Sequence, residues 1–127
     1  VAASGGLFRL LMHQPGLLRP LETTELSDGT LRYLLLCAAL LPARPAPLLV
    51  LNEPESSLHP DLLDPLGALI NAASDESQII VVTHADRLAT ALANSGADIV
   101  RLESTGYGTR IEGQGMLDVP AWHWPTR

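Results

Sequence analysis

The chain has 127 residues, which is enough for one modest hydrophobic core rather than two. Its residues are 46 % apolar but only 4 % aromatic, so the core must consist mainly of Leu, Val, Ile and Ala. The net charge of −6 argues against a nucleic-acid-binding surface, and because all eight basic residues are arginine, the chain cannot supply a phosphate-binding lysine.

The first 25 residues show no regular pattern, and the first predicted helix follows them. Ser27 or Asp28 can cap this helix, and nearly continuous apolar sequence runs from Thr30 to Leu41, interrupted by Arg32. Such a sequence predicts a helix that is buried on almost every side. The apolar run is shorter than the roughly 20 residues that a membrane span takes, and we expect a cytoplasmic protein.

Two short apolar runs, Leu48–Leu51 and Ile79–Val82, predict strands that are buried on both faces, as in a parallel sheet. Each run ends abruptly in polar residues, Asn52-Glu53 in the first case and Thr83-His84 in the second. Open α/β sheets bind ligands beyond the carboxyl ends of their strands. We therefore expect a binding site at these two strand ends.

The remaining predicted elements complete an α/β pattern. A helix begins near Pro60, and Pro65 predicts either a kink or a restart capped by Asp64. The other expected elements are a helix at Asp86–Asn94, strands at Ala97–Glu103 and Tyr107–Glu112, and an ordered tail at residues 121–125. Strands that alternate with helices indicate an α/β fold with a parallel sheet, and we interpret residues 1–127 as a single domain.

Three sets of residues stand where chemistry is expected, and each also has a purely structural interpretation. Glu53 follows a buried strand, where nucleotide-hydrolysing proteins place a water-activating carboxylate, although a strand can simply end in such a polar turn. Ser27-Asp28-Gly29 precedes a helix whose free N–H groups suit a phosphate, although an ordinary N-cap has the same pattern. His84 can donate a hydrogen bond to a terminal phosphate or can be a satisfied structural histidine.

Taken in order, four segments resemble motifs of the ABC-type ATPase superfamily. Ser27–Thr30 looks like the signature motif, Leu48–Glu53 like Walker B, Ser56–Pro60 like the D-loop, and His84 like the switch histidine. The likeness covers roughly residues 25–104 and is strongest to the C-terminal portion of RecF/SMC-like predicted bacterial ATPases, which carry an AAA ATPase domain. It implies a P-loop NTPase-like parallel sheet flanked by helices.

The resemblance implies a role for each matching residue. Glu53 would be the catalytic carboxylate, and His84 would sense the γ-phosphate of ATP. Asn52 would contact Mg²⁺ and nucleotide. Further nucleotide contacts, some of them made across a homodimer of two heads that sandwich ATP, would come from Ser27, Asp28, Gly29, Ser57 and His59, and the segment Ser57–Asp61 would line the interface between heads.

Two features depart from the family pattern. Asn52 stands where many members have aspartate, and its uncharged amide can lower metal affinity or rate. No Walker A sequence occurs, so we expect an N-terminal lobe of the same protein to supply it and the isolated chain to be inactive and to bind ATP weakly or not at all.

The sequence therefore predicts the C-terminal half of an ATP-hydrolysing head that dimerises on ATP. The alternative, which Asn52 favours, is a non-catalytic dimerisation or interaction module that keeps the fold. Family analogy alone connects the chain with nucleic acid, the sequence itself does not indicate such a partner, and a membrane is not expected.

Overall fold

The computed structural model describes residues 2–4, 7–106 and 108–113. The chain divides into two compact units, Val1–Gly96 and Ala97–Arg127. The tail expected at residues 121–125 lies outside the described residues.

Two parallel strands form the centre of the first unit. The strand Leu48–Asn52 (β5) pairs in register with Gln78–Val82 (β6), and the helix Leu63–Ala73 (α2) lies between them in the sequence. Parallel neighbours need such a crossover, so the α/β pattern and the parallel pairing expected from the sequence are confirmed. One face of this sheet packs against α2 and the helix Asp86–Asn94 (α3), forming a core around Leu40, Leu51, Leu66, Ile70, Leu88 and Leu92.

The prediction that both strands are buried on both faces is wrong. Leu48, Val50, Ile80 and Val82 share the face opposite the core, and each is 47–57 % exposed. The physical reason is that β5 and β6 form a sheet of only two strands among the described residues, and α2 and α3 cover one side of it. The continuous apolar sequence shows that both faces of the strands are hydrophobic, but it does not show whether another element covers the second face.

The first helix, Asp28–Leu40 (α1), begins where the sequence indicates, with the side chain of Ser27 accepting a hydrogen bond from the backbone N–H of Thr30. The expectation of burial on almost every side is wrong. Tyr33, Leu36 and Leu40 form one stripe that contacts the core, whereas Leu35 is 70 % exposed. A single helical stripe is buried because the described elements pack against one side of α1.

The region of α2 shows the restart that Pro65 predicts. A 3-10 turn, Pro60–Leu62, comes first, and α2 then begins at Leu63, so Pro65 lies in its first turn, where its missing N–H costs nothing. The expected cap is wrong, because Leu62 occupies the N-cap position. The carboxylate of Asp64 instead accepts hydrogen bonds from Arg87 of α3, at 3.1 and 2.6 Å. The bounds of α3 agree with the prediction.

Short strands account for the other differences. The first 25 residues, expected to be irregular, contain strands Ala2–Ser4 (β1), Leu7–Arg9 (β2), Leu11–Met12 (β3) and Leu21–Glu22 (β4), paired antiparallel as β1–β2 and β3–β4. Strands of two or three residues are too short to show an alternating pattern.

In the second unit, Leu102–Thr105 (β7) pairs antiparallel with Gly108–Ile111 (β8). The first of these strands begins at Leu102 and ends at Thr105, whereas the sequence predicted Ala97–Glu103.

An ion pair orders the segment before α1. The guanidinium of Arg19 donates hydrogen bonds of 2.8 and 2.6 Å to the carboxylate of Glu25, which also accepts one of 2.9 Å from the backbone of Glu22. These bonds, with that from Arg19 as the largest cause, lower the pKa of Glu25 from 4.5 to about 2. The ionised carboxylate therefore stabilises the folded state.

We expect the Glu25→Gln variant to reveal this stabilisation through its pH dependence. Because the pKa of Glu25 is lower in the folded state, its contribution is present above pH 4.5 and is lost as the pH falls toward about 2. The difference in melting temperature between wild type and variant should shrink over that interval. Glu103→Gln, at an exposed position of β7, is the control, and a difference that stays constant with pH would contradict the assignment.

The N-terminus of α1 lies directly against the turn that follows β5. A Cβ atom placed on Gly29 would lie 2.6 Å from the carbonyl oxygen of Ser57, which is far inside van der Waals contact. Glycine is therefore required at this position for α1 and the turn to approach so closely.

We expect Gly29→Ala to lower the free energy of unfolding by about 1–3 kcal/mol, the usual range for overpacking, although alanine normally stabilises a helix relative to glycine. Urea unfolding measures the change. Gly106→Ala is the matched control, since its added Cβ would meet nothing within 4 Å. A stabilised or unchanged Gly29→Ala protein would show that the close approach does not constrain the fold.

Candidate functional site

The carboxyl ends of β5 and β6 meet at one edge of the sheet. Asn52, the last residue of β5, pairs with Val82, the last residue of β6. The next backbone N–H, that of Glu53, still donates a 2.7 Å hydrogen bond to the carbonyl of Val82. The in-register pairing therefore brings the residues that follow both strands to the same place.

Glu53 and His84 face each other at this edge. The Nδ1 atom of His84 lies 3.7 Å from Oε1 of Glu53, and the two side chains are 74 % and 50 % exposed. The two groups are thus close together but open to solvent. A carboxylate and an imidazole in this arrangement can together polarise a water molecule and donate a hydrogen bond to an anionic ligand.

The backbone of Glu53 is strained. Its φ of 45° lies in the left-handed region, which residues other than glycine seldom adopt. The carbonyl of Glu53 is held from two sides, by the N–H of Ser56 at 3.1 Å and by the guanidinium of Arg32 at 2.9 Å. Backbone strain of this kind persists when surrounding contacts fix it, and it is concentrated at functional sites.

Glu55 turns inward beside this exposed pair. It is 8 % exposed, and its Oε1 accepts hydrogen bonds from the hydroxyl of Thr83 at 2.6 Å and the backbone N–H of His84 at 3.1 Å. Burial raises the pKa of Glu55, but the bond from Thr83, the backbone N–H groups of Glu55 itself and of His84, and the nearby imidazole of His84 together lower it by more, so the net pKa lies below its usual value. Glu55 is therefore an ionised group within the fold.

Ser27, Asp28 and Gly29 lie at the N-terminus of α1, as the sequence indicates. The hydroxyl of Ser27 accepts from the N–H of Thr30 at 3.2 Å and lies 2.8 Å from its hydroxyl, so it acts as the helix cap. Ser27 and Asp28 are both exposed. The end of the helix dipole therefore remains accessible to an anion, in addition to the structural role of Ser27.

Ser57 and His59 occupy the segment between Glu53 and α2. Ser57 has a φ of 65°, and its carbonyl contacts the position of Gly29 as described above. His59 caps the following 3-10 turn, with Nδ1 accepting from the N–H of Asp61 at 3.3 Å. Within the part of the chain that the structure describes, neither residue forms a hydrogen bond or ion pair with Glu53 or His84.

The described residues contain no group of three or more His, Cys, Asp or Glu side chains that could hold a metal ion by themselves. Asn52, the last residue of β5, offers one amide oxygen at the sheet edge and directly precedes Glu53 in the chain. Such a donor set suits a hydrated Mg²⁺ that is also bound by substrate phosphates rather than a metal site made by the protein alone.

The sequence predicted no role for three residues that organise this site, Arg32, Glu55 and Thr83, although it placed Thr83 beside His84 at the end of the second strand. Arg32 was visible as the one charge in the apolar run of α1, and such a charge must find a partner when the helix packs. Glu55 gave no comparable signal, because a carboxylate in a polar turn is normally expected to be solvated.

Comparisons with known proteins agree on the fold. No curated protein matches the chain. A solved chain from work on the structural biochemistry of ATP-driven dimerization and DNA-stimulated activation of SMC ATPases is similar, with a TM-score of 0.60 and 20 % identity. The alignment covers 72 % of this chain and 56 % of that one, so the present chain spans about half of its relative. At this identity the likeness establishes a shared fold.

No helix among the described residues has the length and apolarity that crossing a membrane requires. A family model matches residues 7–89, more than half of the chain, and this segment includes α1, β5, α2, β6 and the edge that carries Glu53 and His84. The chain therefore belongs to the AAA domain family described as putative AbiEii toxin, Type IV TA system.

Proposed function

We propose that the chain is the C-terminal part of an ABC-type, RecF/SMC-like ATPase head that binds and hydrolyses ATP. The observation that carries this proposal is the placement of Glu53 and His84 on one rim of the sheet, 3.7 Å apart. Membership of an AAA domain family and the SMC ATPase fold support it.

In this proposal, Glu53 orients and polarises the attacking water, and His84 donates a hydrogen bond to the γ-phosphate. Both roles require side chains that are accessible yet fixed. The exposure of the two side chains meets the first requirement, and the bonds that hold the carbonyl of Glu53 and the N–H of His84 meet the second. Positioned groups of this type contribute to phosphoryl transfer mainly through geometry and electrostatics.

Mg²⁺ and the nucleotide would bind at the same edge of the sheet, where β5 and β6 end. When bound, Mg²⁺ neutralises charge on the phosphate oxygens. Asn52 would hold the ion through a bound water, since its amide oxygen is an acceptor without charge. We therefore expect this contact to be weaker than one made by aspartate.

The dimer interface would be formed by the N-terminus of α1 together with the segment after Glu53. Ser27, Asp28 and Gly29 lie at a helix end that favours anions, and Gly29 is packed against Ser57. Ser57, His59 and Asp61 are exposed. We infer that these residues contact the nucleotide or the opposing head in a homodimer. The solved relative is described in terms of ATP-driven dimerization, which supports this inference.

A second lobe of the same protein would complete the head. The half-exposed face of Leu48, Val50, Ile80 and Val82 is a hydrophobic surface that a further layer of the fold would cover. Because the chain contains no lysine, that lobe would also supply the Walker A lysine.

DNA is a candidate partner of the intact protein because the same solved relative is described in terms of DNA-stimulated activation. The charge of −6 argues against this segment as the surface that DNA would contact.

A second candidate function is a non-catalytic interaction module that keeps the fold for dimerisation. Asn52 favours this candidate, because an uncharged residue at the end of β5 gives less support to a metal ion. The two candidates differ in whether Glu53 performs chemistry.

We expect Glu53→Gln in the intact protein to reduce phosphate release by roughly a hundredfold or more, since loss of a positioned general base typically costs 10²–10⁴-fold. The amide keeps the shape of the side chain but cannot accept a proton. ATP binding should persist, and the dimer should accumulate with ATP. A phosphate-release assay and size-exclusion chromatography with ATP measure the two effects.

Glu76→Gln is the matched control, since Glu76 is exposed and lies near the amino end of β6, away from His84. Equal phosphate release by wild type and Glu53→Gln would exclude Glu53 as the catalytic group. If both hydrolyse no ATP yet dimerise, the interaction-module function is correct.

A further inference from the structure

We propose that Glu55 is a positioning residue that fixes His84 opposite Glu53 by joining the ends of β5 and β6 through Thr83. This inference rests on the proposed function for its catalytic consequence, but the contact itself is independent of ATP. It assigns a role to the one buried charged side chain in the described part of the chain.

A short series of hydrogen bonds crosses between the two strand ends. The Oε1 atom of Glu55 accepts from the hydroxyl of Thr83 at 2.6 Å and from the N–H of His84 at 3.1 Å. The same hydroxyl accepts from the N–H of Ala85 at 3.0 Å. Because the Thr83 hydroxyl both donates and accepts, its rotation is fixed. The carboxylate therefore constrains three consecutive residues after β6.

His84 lies between the buried carboxylate of Glu55 and the exposed carboxylate of Glu53. Its N–H donates to Oε1 of Glu55, and its imidazole, which is 74 % exposed, has Nδ1 3.6 Å from that same atom and 3.7 Å from Oε1 of Glu53. Glu53 is held by hydrogen bonds with Val82, Ser56 and Arg32. These bonds position Glu53, and the bond to Glu55 positions His84. The separation of the two functional groups therefore depends on Glu55.

Core stability alone does not account for this carboxylate. Taking an ionised carboxylate out of water is costly, and an apolar residue of similar size is often equally or more stabilising in such a place. The Oε2 atom of Glu55 is buried and has no hydrogen-bond partner among the described residues, so this oxygen loses its hydration without a replacement. A buried carboxylate with such an oxygen, directly beside Glu53 and His84, is better explained by the geometry that it imposes.

Glu55→Leu separates the positioning role from a structural one, since leucine keeps the bulk and removes the acceptor. In the intact protein we expect kcat for ATP to fall roughly tenfold to a hundredfold, the usual effect of small misplacements, while KM changes little. We also expect hydrogen exchange of the His84 amide to become at least about tenfold faster, because its bond is lost. Glu55→Gln, which keeps an acceptor at Oε1, should restore most of both properties.

Two further variants keep the test decisive. Thr83→Val, which removes the hydroxyl without changing shape, serves if Glu55→Leu does not fold. It leaves the His84 N–H as a donor to Glu55, so we expect both effects in the same direction but smaller. Ile70→Val, a small change in the core away from the strand ends, controls for a general loss of stability and should leave the His84 amide unchanged.

Wild-type His84 exchange and wild-type kcat in Glu55→Leu and in Thr83→Val would overturn the proposal. Failure of the proposed function has a different signature, namely unchanged phosphate release in Glu53→Gln. In that case the exchange rate of the His84 amide still decides whether Glu55 positions this residue.

Discussion

The parallel, in-register pairing of β5 and β6 is the constraint on which the candidate site depends. It ends both strands at the same level, with Asn52 opposite Val82, and so it brings Glu53 and His84 within 3.7 Å although they are 31 residues apart in the sequence. A slip of the pairing by one residue would turn one strand's side chains to the opposite face. The core contacts of Leu51 and Val81 prevent such a slip, so packing on one face determines the geometry at the edge.

Two unfavourable features accompany this geometry, a left-handed backbone at Glu53 and a buried carboxylate at Glu55. Each is stabilised by contacts from another element, Arg32 of α1 in the first case and Thr83 after β6 in the second. Glu53 thus adopts an unfavourable backbone conformation and Glu55, two residues later, is a buried charge. Such departures are expected where a fold serves a function rather than stability alone.

The sequence predicted the parts of this arrangement that depend on local pattern. Apolar runs with abrupt polar ends located β5, β6 and the edge that they share, and Ser27 marked the start of α1. It did not predict that Glu55 turns inward, because that direction follows from the unusual backbone of Glu53 and from a partner 28 residues away. The close approach of Gly29 to the next turn is likewise a contact between distant segments. The burial of β5 and β6 was overestimated for the same reason. A sequence pattern shows that a strand is hydrophobic, but it does not show which other elements pack against each face.

The sheet of β5 and β6 also bears on how the chain behaves in solution. Each strand keeps one lateral edge unpaired among the described residues, and the adjoining face carries Val50, Ile80 and Val82. Unpaired backbone groups beside branched aliphatic side chains act as a template for strand addition by neighbouring molecules. At high concentration the chain on its own should be prone to aggregate, and co-expression with the lobe that we propose to cover this surface should reduce that tendency.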